Sequence, residues 1–110
     1  MINKLKNMVG LGNEVSFGQL INEGAIVLDV RSRNEYASGH FNGAINIPLE
    51  EFEEVLTKIK NKDEVIITCC ASGMRSSTAK RILEKEGYTK VYNGGSWLDL
   101  NKYTIKKLTL

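Results

Sequence analysis

Several things are scarce in this chain, and each scarcity removes a class of function. Charge of one sign is scarce. Fifteen basic residues face thirteen acidic ones, for a net charge of +2, too small an excess to argue for a nucleic-acid or membrane-surface partner. Long apolar runs are absent. No stretch approaches the ~20 apolar residues of a membrane helix, and the opening MINKLKNMVGLG lacks a signal-type apolar core. The expected compartment is therefore the cytoplasm. Cysteines are few, and the two present, Cys69 and Cys70, are neighbours. A disulfide between neighbours is strained and cannot staple a fold. Two adjacent sulfurs with no other Cys or His nearby also make a poor zinc site, so no metal and no cofactor are expected. His40 is the only histidine, and nothing in the sequence places it near a cysteine. It is expected to fix its own loop by hydrogen bonding. Repeats, low-complexity segments and linkers are missing as well.

What is present suits one soluble domain. The 110 residues are 42% apolar, enough for one modest core. Residues 1–12 are expected to be a tail or lead-in helix, and 13–110 the domain. Ser16 and Gln19 have capping-box spacing and start a short helix that stops near Gly24. Ala25 to Val30 is a continuous apolar run suited to a strand covered on both faces. Ser32 and Glu35 repeat the capping spacing for a second short helix ending near Gly39. Ala44 to Ile47 reads as a short strand closed by Pro48. Leu49 to Lys60 gives the clearest helical pattern, with Leu49, Phe52, Val55, Leu56 and Ile59 on one face. Its glutamates Glu50, Glu51, Glu53 and Glu54 read as a solvated, dipole-favoured face.

Glu64 to Cys69 is a second buried strand, and Arg75 to Glu86 a helix stopped by Gly87. Thr89 to Tyr92 is a third short strand, Asn93-Gly94-Gly95 a turn, and Ser96 the cap of a last helix. Strand alternating with helix implies an α/β fold: a small, mostly parallel sheet of about five strands with helices on both faces.

In such sheets sites form at the carboxyl ends of strands. Cys70 stands at one such end, followed by Ala71, Ser72, Gly73, Met74 and Arg75 and then a helix. The small residues let the backbone curl so that N–H groups point inward, making an anion nest backed by the helix N-terminus. A thiol at its centre loses its proton more readily. Cys70 is thus the candidate nucleophile. Ala71 to Arg75 are the candidate binding loop, with Ser76 and, at the neighbouring strand end, Asp29 and Arg31 in support. Strand alternation aims Cys69 away from Cys70 and into packing. Met74 and Ser72 project from the loop and are candidates to line its entrance.

Taken together the motifs resemble the rhodanese-like sulfurtransferase domain. The resemblance covers roughly Asn13 to Tyr103. It rests on Leu28-Asp29-Val30-Arg31, the segment from Glu35 through Gly39-His40 to Pro48, the loop from Cys70 to Arg75, and Gly94-Gly95 before Trp97. It implies a sulfurtransferase that carries sulfur as a persulfide on Cys70. The sulfur would pass from a donor such as thiosulfate to a thiol or cyanide. The loop holds four residues between Cys70 and Arg75. The family's sulfurtransferases use that length, whereas phosphatases and arsenate reductases of related fold use a longer loop. Expected partners are a small sulfur donor and a thiol acceptor. An acceptor protein or a regulatory binding role is the alternative.

Overall fold

The computed structural model describes residues 16–108, with side chains through Tyr103. The expected lead-in helix over 1–12 lies outside the described residues. The elements in order are α1 (Phe17–Asn22), β1 (Ile26–Asp29), α2 (Arg33–Ser38), β2 (Ile45–Asn46), a 3-10 segment (Leu49–Glu54), α3 (Val55–Lys58), β3 (Val65–Cys70), α4 (Met74–Lys85), β4 (Lys90–Ser96) and α5 (Trp97–Leu108).

Both capping signals hold. Ser16 accepts the Gln19 N–H and begins α1. Ser32 and Glu35 form a full reciprocal capping box on α2. Each satisfies donors that a helix start leaves orphaned.

The sheet is parallel throughout, in the order β2-β1-β3-β4. Among the described residues it has four strands rather than about five. β1 and β3 are central, which explains their unbroken apolar runs: both faces are covered. One face packs Leu28, Val30, Ile66 and Cys70 against Phe52, Val55, Ala79 and Leu83 from the 3-10 segment, α3 and α4. The other packs Val27, Ile67 and Cys69 against Phe17, Leu20, Tyr36, Trp97 and Leu100 from α1, α2 and α5. Helices therefore lie on both faces, as the alternation requires. No helix among the described residues is long and apolar enough to cross a membrane.

Two local expectations are corrected. The helix expected over Leu49 to Lys60 is a 3-10 segment and a single α turn, with a kink at Glu51 (φ −116°, ψ 31°). Its apolar face is still buried through Phe52, Val55 and Ile59. The apolar spacing is met without a continuous helix, because burial rather than helical hydrogen bonding decides such a short segment. Second, Asn93-Gly94-Gly95 is not a turn after the last strand. It is the end of β4, with a register shift between Thr68 and Cys70. Gly94 has a packing reason: a Cβ there would sit 2.7 Å from Ile67 Cγ2 and 3.0 Å from the Thr68 carbonyl. Only glycine lets β4 lie this close to β3.

Candidate active site

The carboxyl edge of β3 carries the candidate loop. Cys70 is the last strand residue, and Gly73 turns the chain into α4 through a left-handed conformation (φ 105°). That turn aims backbone donors at the sulfur. Gly73 N–H donates to Cys70 Sγ at 3.0 Å and Ser76 N–H donates at 3.4 Å. The Ser76 hydroxyl lies 3.5 Å from the same sulfur. Burial pushes the Cys70 thiol up, but these hydrogen bonds, from the Ser76 side chain and from the N–H groups of Ser76, Gly73 and Ser72, outweigh it. The net shift is downward, toward thiolate.

Cys69, one residue earlier, faces the opposite side of the sheet. Burial, followed by the nearby Asp29 carboxylate, pushes its thiol up to about 12. The alternation argument for the two cysteines is therefore met in the packing of both.

The remaining expected residues fall in three places. Ala71, Ser72 and Met74 lie on the loop, with Ala71, Ser72 and Met74 at its surface. Ser76 is fully buried beneath it. Asp29 and Arg31 form a buried network at the end of β1. Arg31 Nη2 meets Asp29 Oδ2 at 2.7 Å, the Arg31 N–H donates to Asp29 Oδ1 at 3.0 Å, and Arg31 Nη2 also donates to the Gly39 carbonyl at 2.7 Å. The guanidinium lies over Trp97, 4.7 Å from the ring centroid. This network ties α2 and α5 to the sheet edge and makes no hydrogen bond to Cys70. His40 stacks on Tyr36, with centroids 3.7 Å apart, and pairs through Nδ1 with the Tyr36 carbonyl at 2.8 Å. Its expected loop-fixing contact is present.

Arg75 points its fork at Glu35, not at the sulfur. Nη1 donates to Oε1 at 2.8 Å and Nη2 donates to Oε2 at 3.0 Å. The Arg75 hydrogen bonds come first, and with the Ser32 backbone they hold the Glu35 carboxyl well down, at about 2. Glu35 is legible in the sequence only as a cap. Its second partner is 40 residues away and leaves no local signal.

Asn93 also escapes a sequence reading, because it reads as a turn residue. Its Oδ1 accepts the Ser76 hydroxyl at 2.6 Å and the Gly95 N–H at 2.9 Å, while Nδ2 donates to the Gly73 carbonyl at 3.3 Å. Asn93 thus braces the loop from β4. Chemically the arrangement can stabilise a thiolate, a persulfide or an oxyanion at one point.

Fold and loop together define a class of small α/β proteins that cradle one cysteine at the carboxyl edge of a parallel sheet. Within that class the chain belongs to the rhodanese-like family, whose domain model matches residues 15–97. It is 39% identical over 80 residues to the thiosulfate sulfurtransferase PspE of Escherichia coli, covering 72% of this chain and 77% of that one. It is 42% identical over 67 residues to the putative sulfur carrier protein YrkF of Bacillus subtilis, covering 61% of this chain and 36% of that longer protein. Among solved structures, a rhodanese with anions from E. coli aligns with a TM-score of 0.65 at 39% identity, over 69% of this chain and 91% of that one. The chain is a thiosulfate sulfurtransferase-like enzyme.

Proposed function

We propose that Cys70 is the sulfur-carrying nucleophile, and that the loop from Ala71 to Arg75, with Ser76, holds the transferred sulfur. In the first half-reaction the Cys70 thiolate attacks the outer sulfur of a donor such as thiosulfate. A new S–S bond forms, the donor's S–S bond breaks, and sulfite leaves with the electron pair. In the second, a thiol or cyanide attacks the outer sulfur of the persulfide and restores the thiolate. No general base is needed where the thiolate already exists. The observation that carries this reading is the convergence of the Gly73 and Ser76 N–H groups on one sulfur, with the Ser76 hydroxyl oxygen 3.5 Å from it. The same donors stabilise the charge of the thiolate, the persulfide and the transition state between them. Two free cysteines suit a reducing compartment, and the cytoplasm is the proposed one.

Steady-state kinetics with thiosulfate and cyanide test the reading. Parallel double-reciprocal lines and loss of thiocyanate formation in Cys70→Ser support it. Intersecting lines, or turnover surviving in Cys70→Ser, contradict it. A second reading has the chain pass its sulfur to a partner protein, as the likeness to a putative sulfur carrier suggests. It keeps the same persulfide and differs only in acceptor.

A further inference from the structure

A guanidinium beside a thiolate is a natural receptor for a dianion, because its planar fork can hold two anionic oxygens at once. In this structure that fork is already filled. Both Arg75 nitrogens donate to Glu35, at 2.8 Å and 3.0 Å. Glu35, held at about 2, stays ionised at any working pH. The other cation at this edge, Arg31, is closed off by Asp29 at 2.7 Å and is only 4% exposed. Lys80 on α4 carries Glu84 at 3.1 Å. Arg81 lies six residues beyond Arg75 on α4, about 9 Å along the helix. The cationic side chains nearest the sulfur are therefore already paired, and the loop N–H groups remain as the donors for a bound anion.

The mouth of the loop is also apolar. Met74 is 77% exposed and Leu98 62% exposed, two of the three large exposed hydrophobics among the described residues. Both belong to the edge that carries Cys70. Met74 follows Gly73, where an added Cβ would lie 3.4 Å from the Gly95 Cα. Leu98 lies three residues beyond Gly95, its N–H on Ser96 Oγ at 3.2 Å, and Ser96 pairs with Cys70 in the sheet.

Glu35 has a second task that makes the idea testable. Its Oε1 accepts the Ser32 N–H at 2.9 Å and completes the cap of α2. Glutamine serves that position as well as glutamate, so Glu35→Gln removes the charge and keeps the cap.

We propose that Glu35 determines donor specificity. By filling the Arg75 fork it withholds that cation from dianionic donors such as thiosulfate and lowers their advantage over singly charged ones. It favours sulfane donors with a single charge and an apolar substituent, which Met74 and Leu98 would cover. The inference rests on Cys70 being the sulfur acceptor. The chemistry is the same for both donor classes: the thiolate attacks the sulfane sulfur, the donor's S–S bond breaks, and the leaving group takes the electron pair. Thiosulfate releases sulfite and an arenethiosulfonate releases arenesulfinate.

The test compares kcat/KM for thiosulfate and for benzenethiosulfonate, with cyanide as acceptor, in the native enzyme and in Glu35→Gln. The ratio of thiosulfate to benzenethiosulfonate is expected to rise about fivefold at low salt, the size of one added charge contact in water. The rise should come mainly through KM and shrink as salt is added. A role confined to bracing the loop would depress both donors together, and an unchanged or falling ratio overturns the proposal. Should Glu35→Gln fail to fold, the native enzyme still decides. Its thiosulfate kcat/KM should vary less than about twofold with ionic strength, and a steep fall would mean Arg75 is free to bind the dianion. Failure here is separate from failure of the nucleophile reading: a Cys70 that gains sulfur while the ratio stays flat removes only the role of Glu35.

Discussion

Cys69 and Cys70 share a strand, a peptide bond and complete burial, and the protein treats them in opposite ways. Cys69 lies among Val27, Phe41, Ala44, Ile67 and Leu100, on a face where no described residue donates a hydrogen bond to its sulfur. Burial pushes its thiol up to about 12. Cys70 is as deeply covered, yet the Gly73 and Ser76 N–H groups and the Ser76 hydroxyl turn its shift downward. Burial alone does not make a cysteine inert. What decides is whether the backbone nearby commits its donors to a ladder or to the sulfur. At Cys69 the strand continues, and its carbonyl accepts the Val30 N–H at 3.0 Å. At Cys70 the strand stops, and Gly73 turns freed N–H groups inward.

That contrast can be broken or sharpened by experiment. The largest effect expected is in alkylation. Burial holds the Cys69 thiol up, at about 12, whereas the hydrogen bonds of the loop hold the Cys70 thiol below its ordinary value. At pH 8 iodoacetamide should therefore modify Cys70 about a thousandfold faster, since the thiolate is the nucleophile. Peptide mapping after brief treatment reads the ratio, and comparable rates would erase the distinction. Labelling of Cys70 should fall off only as pH drops below the usual thiol range, because the lowered value keeps the thiolate present there.

Ser76→Ala should bring the two sulfurs closer together. It removes the first of the groups that lower Cys70, leaving the backbone donors. A hydrogen bond to a charged sulfur contributes about 1.5 kcal/mol, so the midpoint of Cys70 alkylation should rise by about one unit. Turnover at neutral pH should drop about tenfold. An unmoved midpoint would assign the shift to the backbone alone.

Gly94→Ala should disturb the platform both cysteines share. Its Cβ would press on Ile67 and Leu100, and overpacking of this kind costs about 1–3 kcal/mol. Denaturant melts should show that loss. The smallest effect expected is that of Cys69→Ala. It should cost about 1 kcal/mol of stability through lost packing, while sulfur uptake stays within about twofold of native. A collapse of uptake would mean that Cys69 takes part in the chemistry.

Much of this is legible in the sequence, for physical reasons. β1 and β3 are buried on both faces, so their apolar runs are unbroken. The capping signals at Ser16 and Ser32 are local and depend on few neighbours. The period-two geometry of a strand is by itself enough to send Cys69 and Cys70 to opposite faces. What escapes is decided at a distance. Glu35 looks complete as a cap, and its pairing with Arg75 depends on how α2 and α4 meet. Asn93, Gly94 and Gly95 carry every local mark of a turn, yet they extend β4, and at Gly94 the close approach to Ile67 and Thr68 leaves room only for glycine. The segment from Leu49 to Lys60 keeps its buried face but not its helix, since apolar spacing reports which side is covered and not which hydrogen bonds form.

The most direct measurement is the intact mass of the protein after brief treatment with thiosulfate and removal of excess donor, followed by mapping of the added sulfur. The account predicts one sulfur atom, located on Cys70, discharged by cyanide and absent in Cys70→Ser. A protein that gains no sulfur, or gains it on Cys69, would contradict it.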